Sequence, residues 1–235
     1  MNELVVNLPD DIMEKYEILN YNYALEILAT SFSNEYNDLI DVLRNVHITI
    51  DDILQSGGNE SPIPPKFKEI LFPRGWAETN IHGDLELVMD YRNSKLPSER
   101  TNLKDHVNGY NIDFFKNKIA MDTEWNSKDQ TFDRDLLAMR TYFDCGLIDV
   151  GVIVTRAEGL NDIFKMEKDN NGQPLIKKYG ASTTWMGKLT YRLDSRRNGG
   201  CPVLAIGIGK ECIEEYGRLS EYYTKLTGIH ERKEI

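Results

Sequence analysis

Hydrophobic positions along the chain alternate between two periods, 3.6 and 2, and that alternation predicts the elements. Residues 11–31 carry Ile12, Tyr16, Leu19, Tyr23, Ile27 and Leu28 at helical spacing, which predicts a helix broken near Asn20–Asn22. Asn34 to Leu43 continues helically, with Asn34 a candidate N-cap and Tyr36, Leu39, Ile40 and Leu43 on one face. Val46 to Ile50 is either a short strand or a link. The segment from 57 to 65 (GGNESPIPP) reads as a turn before a short helix over Lys66–Leu71. Trp76 to Val88 predicts strand structure with a turn at His82–Gly83. Residues 92–110 are polar and rich in turn formers, a surface loop or a connection beside the active site.

Lys118 to Trp125 then has period 2, with Ile119, Met121 and Thr123 on one face and Ala120, Asp122 and Glu124 on the other. Phe132–Phe143 predicts a helix that turns Leu136, Met139 and Phe143 inward and Arg134, Asp135 and Arg140 outward. Ile148–Arg156 and Cys201–Gly209 are nearly all apolar, as strands buried on both faces are. A short helix starts near Gly159, DNNGQ at 169–173 is a turn, and a loop at Tyr179–Trp185 runs into a helix through Tyr191. A terminal amphipathic helix is expected over Glu211–Thr227. The β-α-β order predicts an α/β (α+β) fold, a central mixed β-sheet flanked by helices. One domain is expected: a mainly helical part over 1–75, a core over 76–210, and a C-terminal helix and tail over 211–235.

Composition changes this picture little. The chain has 235 residues, 40% hydrophobic and 28% charged, with a net charge of −10. That charge disfavours a protein that coats nucleic acid by electrostatics alone, although a locally basic cleft remains compatible with it. No apolar run approaches a membrane span and the N-terminus lacks a basic signal-peptide start, so a cytoplasmic protein is expected. Cys145, Cys201 and Cys212 have no CxxC spacing and fit reduced thiols, Cys145 and Cys201 as small core residues.

The acids of 112–130 change it most. Asp122 and Glu124 project side by side, and Asp113 lies within reach if the chain turns between them. Alternating charge on a strand usually marks a solvated face. Here a second apolar strand follows a helix, which makes the acidic strand central. Crowded carboxylates raise one another's pKa unless a divalent cation neutralises them, and oxygen ligands suit Mg²⁺.

The segments IDFFKNKIAMDTEWNSKD, IDVGVIV and CPVLAIGIG, with YEILNYNYALEIL, SPIPPKF and GW in the same order, resemble the BglII/BstYI-type restriction endonucleases of the PD-(D/E)XK superfamily. The resemblance runs along most of the chain. It implies that Asp113 and Asp122 bind metal and that Glu124 occupies the third motif position. The superfamily's usual residue there is lysine, close relatives carry glutamine and the BamHI type carries glutamate. Asp122 stands where glutamate is commoner. Glu124 would accept a proton from water or hold a second metal. Lys128 is a rival for the displaced motif lysine or a phosphate contact; Lys116, Lys118 and His106 are weaker candidates, with ordinary surface positions as the alternative.

The resemblance further implies a Mg²⁺-dependent type II enzyme, a homodimer on short palindromic double-stranded DNA, with GATC-centred sites in close relatives. For DNA reading the candidates are Ser182, Thr183, Thr184 and Lys188, against a plain N-cap and helix. Arg192, Arg196 and Arg197 before Asn198-Gly199-Gly200 form either a phosphate clamp or a surface charge run. Trp185 fits the core better than a stacking platform. Two other readings stand beside this one: a catalytically weak DNA-binding or interaction module that keeps the fold, and a PD-(D/E)XK repair nuclease without sequence specificity.

Overall fold

A computed structural model describes residues 6, 8–55, 61–108, 111–169 and 171–215. Six strands form the main sheet: β1 (Tyr16–Tyr21), β2 (Ala77–Asn80), β5 (Asn111–Lys116), β6 (Ile119–Glu124), β7 (Val150–Arg156) and β8 (Val203–Ile208). Their order is β1-β8-β7-β6-β5-β2. The β6–β7 and β7–β8 pairs are parallel, and β1–β8, β5–β6 and β2–β5 are antiparallel. The sheet is mixed and flanked by helices, as the sequence predicts.

Its two faces are covered by different sets of helices. On one side lie α1 (Asp10–Met13), α2 (Ala24–Ser31), α3 (Ser33–Asn45), α4 (Ile50–Leu54), α5 (Ile63–Leu71), α7 (Leu160–Met166) and α8 (Leu175–Lys178). Ile119 and Met121 of β6 point into this layer. On the other side α6 (Thr131–Asp144) and α9 (Met186–Asp194) pack Phe132, Leu136, Met139, Met186 and Leu189 against Ala120 and Ala205. The period-2 reading of β6 is therefore correct in register, and Asp122 and Glu124 belong to the α6 side.

The largest departure from the sequence pattern is β1. Tyr16–Tyr21 pairs residue by residue with β8 instead of continuing a helix. Its helical spacing is incidental; pairing with β8 satisfies a row of backbone groups that would otherwise be left open. Asn20, within β1, ties the strand to the first turn of α2: its side-chain oxygen accepts the Leu25 N–H (3.0 Å) and its amide donates to Glu26 (2.7 Å). Asn34 is inside α3 and is not its cap. α5 begins at Ile63, because Pro64 and Pro65 fit a first turn that needs no N–H partners. Residues 46–49 are a link that makes one bridge, Ile48 to Ile213, and Ile50 already starts α4.

Residues 92–110 are not simply a loop. β3 (Gly83–Met89) and β4 (Glu99–Val107) pair as a separate two-stranded ribbon that leaves Leu87, Val88, Met89 and Leu103 exposed. Cys145 is exposed, not core, while Cys201 is buried. Lys210–Cys212 is a 3₁₀ turn, and most of the helix expected after it lies outside the described residues.

Close approach of α9 and β1 to β8 requires Gly207. A Cβ there would meet Met186 Cγ at 2.6 Å, Glu17 Cβ at 3.1 Å and the Ala157 Cα at 3.2 Å. Gly207→Ala is expected to destabilise the protein by about 1–3 kcal/mol, read as a lower denaturant midpoint with an unchanged slope.

Candidate active site

The acids meet where β5 and β6 part. The strands are joined by a tight turn in which Asn117 takes a left-handed conformation, and their ladder ends with Phe114 opposite Met121. One step further, Asp113 lies opposite Asp122. Asp122 Oδ1 accepts the Asp113 backbone N–H (2.9 Å), while Asp113 Oδ2 accepts both the N–H and the hydroxyl of Thr123 (3.0 Å each). Each carboxylate thus grips the other strand's backbone and fixes the pair. The site stands at the carboxyl end of β6, where the parallel strands β6, β7 and β8 give way to antiparallel β5, and strand carboxyl ends are where α/β folds place their ligands.

A fourth acid joins the cluster from α6. Asp135 is 3% exposed and accepts two hydrogen bonds from Arg134 at Oδ1 (3.0 and 2.9 Å). Arg134 also reaches Glu124 at 3.6 Å. The sequence reading turned Arg134 and Asp135 outward; Arg134 is exposed, but Asp135 is buried. The missed signal is the spacing Phe132, Asp135, Leu136, Met139, an i, i+3, i+4, i+7 stripe with an acid in it.

Burial and crowding push Asp122, Glu124 and Asp135 toward their protonated forms. Burial, then the charges of Asp135 and Asp113, raise Asp122 well above the carboxylate range. Burial and Asp135 push Glu124 up to about 8, against the Ser127 hydroxyl and Arg134. Burial lifts Asp135 to about 6, although Arg134 pulls it down. Glu124 Oε2 and Asp135 Oδ2 are buried without a hydrogen-bond partner, as is Asn126 Oδ1.

These orphaned oxygens beside one arginine form a donor set short of positive charge, which fits a hard cation such as Mg²⁺. Among the described residues, no three His, Cys, Asp or Glu side chains are arranged as a ready-made cage. Mg²⁺ does not need one, since it commonly takes one or two carboxylates with waters and phosphate oxygens. A cavity of about 330 Å³ opens onto Asp113 and Glu124, with Lys68 of α5 and Lys178 of α8 on its wall.

Of the candidate DNA-reading residues, Lys128 and the 182–184 stretch lie next to this centre. Chain 127–129, just past β6, is tied to the 180–185 loop: the Thr184 N–H donates to Ser127 O and the Asp129 N–H to Ser182 O (2.9 Å each). A bridge pairs Lys128 with Thr183. Lys128 and Ser182 are exposed, Thr183 is half-buried, and Thr184 is wholly buried. Lys188 pairs with Asp129 (3.4 Å), and Arg192 and Arg197 both pair with Asp133. Arg196 is exposed at the rim of a second hollow of about 430 Å³ formed with Tyr21, Asn22 and Asp194, and the acids do not line it.

Other candidates fall away from the acids. Lys116 pairs with Asp38 (2.8 Å) and Lys118 with Asp149 (3.7 Å). His106 stands on β4 beside Leu137 and Thr141 in a separate hollow. Trp185 is half-buried at the start of α9.

The model of the restriction endonuclease BglII/BglIII family matches residues 16–208, most of the chain and all six strands of the main sheet. The chain belongs to that family. Among curated proteins no match is found. Membership makes the protein a DNA-binding endonuclease of a class that generally uses divalent metal ions. Among the described residues no helix is long and apolar enough to cross a membrane.

Proposed function

We propose that this family member is a Mg²⁺-dependent type II restriction endonuclease that hydrolyses one phosphodiester per strand at a short palindromic site and acts as a homodimer. The observation that carries the reading is the meeting of Asp113, Asp122 and Glu124 at one strand end, with Glu124 Oε2 buried and unpartnered beside a cavity that Asp113 and Glu124 line. A structural strand has no use for such a cluster, because each added acid makes the others harder to ionise.

Asp113 and Asp122 would hold the cation, whose chemistry is to acidify water and neutralise charge on the phosphate. The chain's own contribution is positional. The reciprocal bonds between β5 and β6 hold Asp113 and Asp122 in place before substrate arrives. Glu124, with its affinity for a proton raised to about 8, accepts a proton from the attacking water or serves as a further ligand. Lys68 and Lys178 on the cavity wall, which pair with Glu78 and the Gln55 carbonyl in the free protein, would turn to phosphate oxygens when DNA binds. Lys128 and Ser182, with Thr183 and Lys188 beside them and Thr184 beneath, form the DNA-facing surface, which Arg196 and Arg197 would extend past the end of α9. Two-fold symmetry of a dimer would match the symmetry of a palindrome.

Digestion of unmethylated phage DNA with the purified protein, in Mg²⁺ and in EDTA, tests this directly when the ends are sequenced. Discrete fragments in Mg²⁺ alone are expected, with one palindrome at every end. A Mg²⁺-dependent smear would point to a nuclease without sequence specificity. Absence of cutting on several unmethylated DNAs would leave a binding module. Sedimentation should give twice the 27.1 kDa of the chain; a monomer on and off DNA would remove the dimer.

A further inference from the structure

Arg156, the last residue of β7, is 1% exposed and is the largest fully buried side chain among the described residues. A buried guanidinium normally has a carboxylate beside it, since removing the charge from water is costly. Among the described residues Arg156 has no ion pair within 4 Å. Its planar group instead lies against the stacked rings of Phe164 and Tyr179, at 5.1 and 5.0 Å from their centres. Cation–π contact with two rings offsets part of that cost. Burial brings its pKa down to about 10, so the charge persists at neutral pH.

Its hydrogen bonds point to a role. Nε donates to the backbone oxygen of Trp125 (2.7 Å), one residue past Glu124, and Nη2 donates to the Thr183 hydroxyl (2.6 Å). Nη1 has no partner. The next residue upstream, Thr155, donates its hydroxyl to the backbone oxygen of Glu124 (2.6 Å). The end of β7 therefore holds the carbonyl oxygens of Glu124 and Trp125, in the two peptides that flank Trp125. Through Thr183 it also holds the loop that carries Ser182. A residue that only filled the core would need none of these directed contacts, and an aliphatic side chain would fill the space without a buried charge.

We propose that Arg156 is a positioning residue that couples the 180–185 loop to the placement of Glu124, so that the loop's fit on DNA governs the chemical step. This rests on the nuclease reading above. With a correct sequence the loop settles, Thr183 holds the guanidinium, and the guanidinium holds the Trp125 carbonyl and the carboxylate beside it. On a near-cognate sequence the loop sits differently and the acid is displaced.

The test uses the full chain and a duplex carrying the site mapped by the digestion above. Arg156→Gln keeps some hydrogen bonding without charge, and Arg156→Lys keeps the charge but cannot reach two partners in the same plane. Both are measured for duplex affinity in EDTA, for single-turnover cleavage in Mg²⁺, and for the ratio of cleavage rates between the site and its one-base variants. Expected are affinities within about threefold of wild type, cleavage slower by about 100-fold, and a discrimination ratio reduced at least about tenfold. If Arg156→Gln does not fold, Arg156→Lys decides alone. Wild-type rate and discrimination in a folded variant would overturn the proposal, as would losses of rate and affinity in equal measure. Failure of the wild-type protein to cut any DNA would instead overturn the reading on which the proposal rests.

Discussion

Asp122→Asn should stop cleavage while leaving DNA binding in EDTA within about threefold of wild type. The asparagine oxygen can still accept the Asp113 N–H, so the β5–β6 junction keeps its geometry. What disappears is the negative charge, and with it the anchor for a cation. Stabilisation of a phosphoryl transition state by a bound metal amounts to several kcal/mol, so a single-turnover rate lower by at least about 1,000-fold is expected. Folding should not suffer. Burial, then Asp135 and Asp113, already hold Asp122 toward its neutral form without metal, so a neutral asparagine in its place costs little. A folded Asp122→Asn protein that still cuts within tenfold of wild type would remove Asp122 from the centre. One that neither cuts nor binds would assign the residue to DNA contact instead.

The acidic strand was legible because two simple patterns agree there. Period-2 alternation fixes the face of Asp122 and Glu124, and the apolar strand Val150–Arg156 next to it makes that face an interior one. The turn needed to return Asp113 to the same place is short, and Asn117 supplies its left-handed residue. Where tertiary contact decides, the chain misleads. Tyr16–Tyr21 has helix-like spacing and becomes a strand because β8 offers an unpaired edge nearly 190 residues later. Nothing within a local window carries that information. Residues 92–110 read as loop because the ribbon of β3 and β4 is exposed on both faces, which leaves the polar sequence without the one-sided apolar pattern of a packed sheet. Asp135 was assigned to solvent on its charge, although its stripe with Phe132, Leu136 and Met139 pointed inward. Charge is a weaker guide than periodicity when a helix borders an active site. Arg156 shows the same thing from the other side: its strand is all buried, and a cation in such a run signals a purpose.

Stability without metal should fall as pH rises, and Mg²⁺ should restore it. Glu124 moves from an ordinary 4.5 to about 8 on folding, and Asp135 from 3.8 to about 6. An acid whose pKa is higher in the folded chain binds its proton more tightly when folded. The contribution is therefore full below the unfolded values and drains away as pH climbs toward 6 and then 8. Other groups work in the opposite sense. Asp133, held down by Arg192 and then Arg197, adds stability above its unfolded value and loses it only in acid. The comparison with and without Mg²⁺ at each pH isolates the acid cluster, because Asp133 is already paired in both.

At a Mg²⁺ concentration of about 100 times Kd, linkage gives about 2.7 kcal/mol. For a chain of this size that raises Tm by about 5–10 °C. The rise should be larger at pH 8 than at pH 6, where protons compete for the same oxygens. Asp135→Asn separates the causes. It removes the largest neighbouring charge acting on both Asp122 and Glu124, so the metal-free protein at pH 8 should gain about 1–2 kcal/mol. The Mg²⁺-induced rise should shrink in the same variant, because less repulsion is left for the cation to relieve. If Asp135→Asn destabilises the metal-free protein at pH 8, its bonds to Arg134 outweigh the repulsion and the residue is a structural anchor. If Mg²⁺ shifts Tm of the wild type at neither pH, the acids do not bind it without DNA, and substrate phosphate must supply the missing ligands.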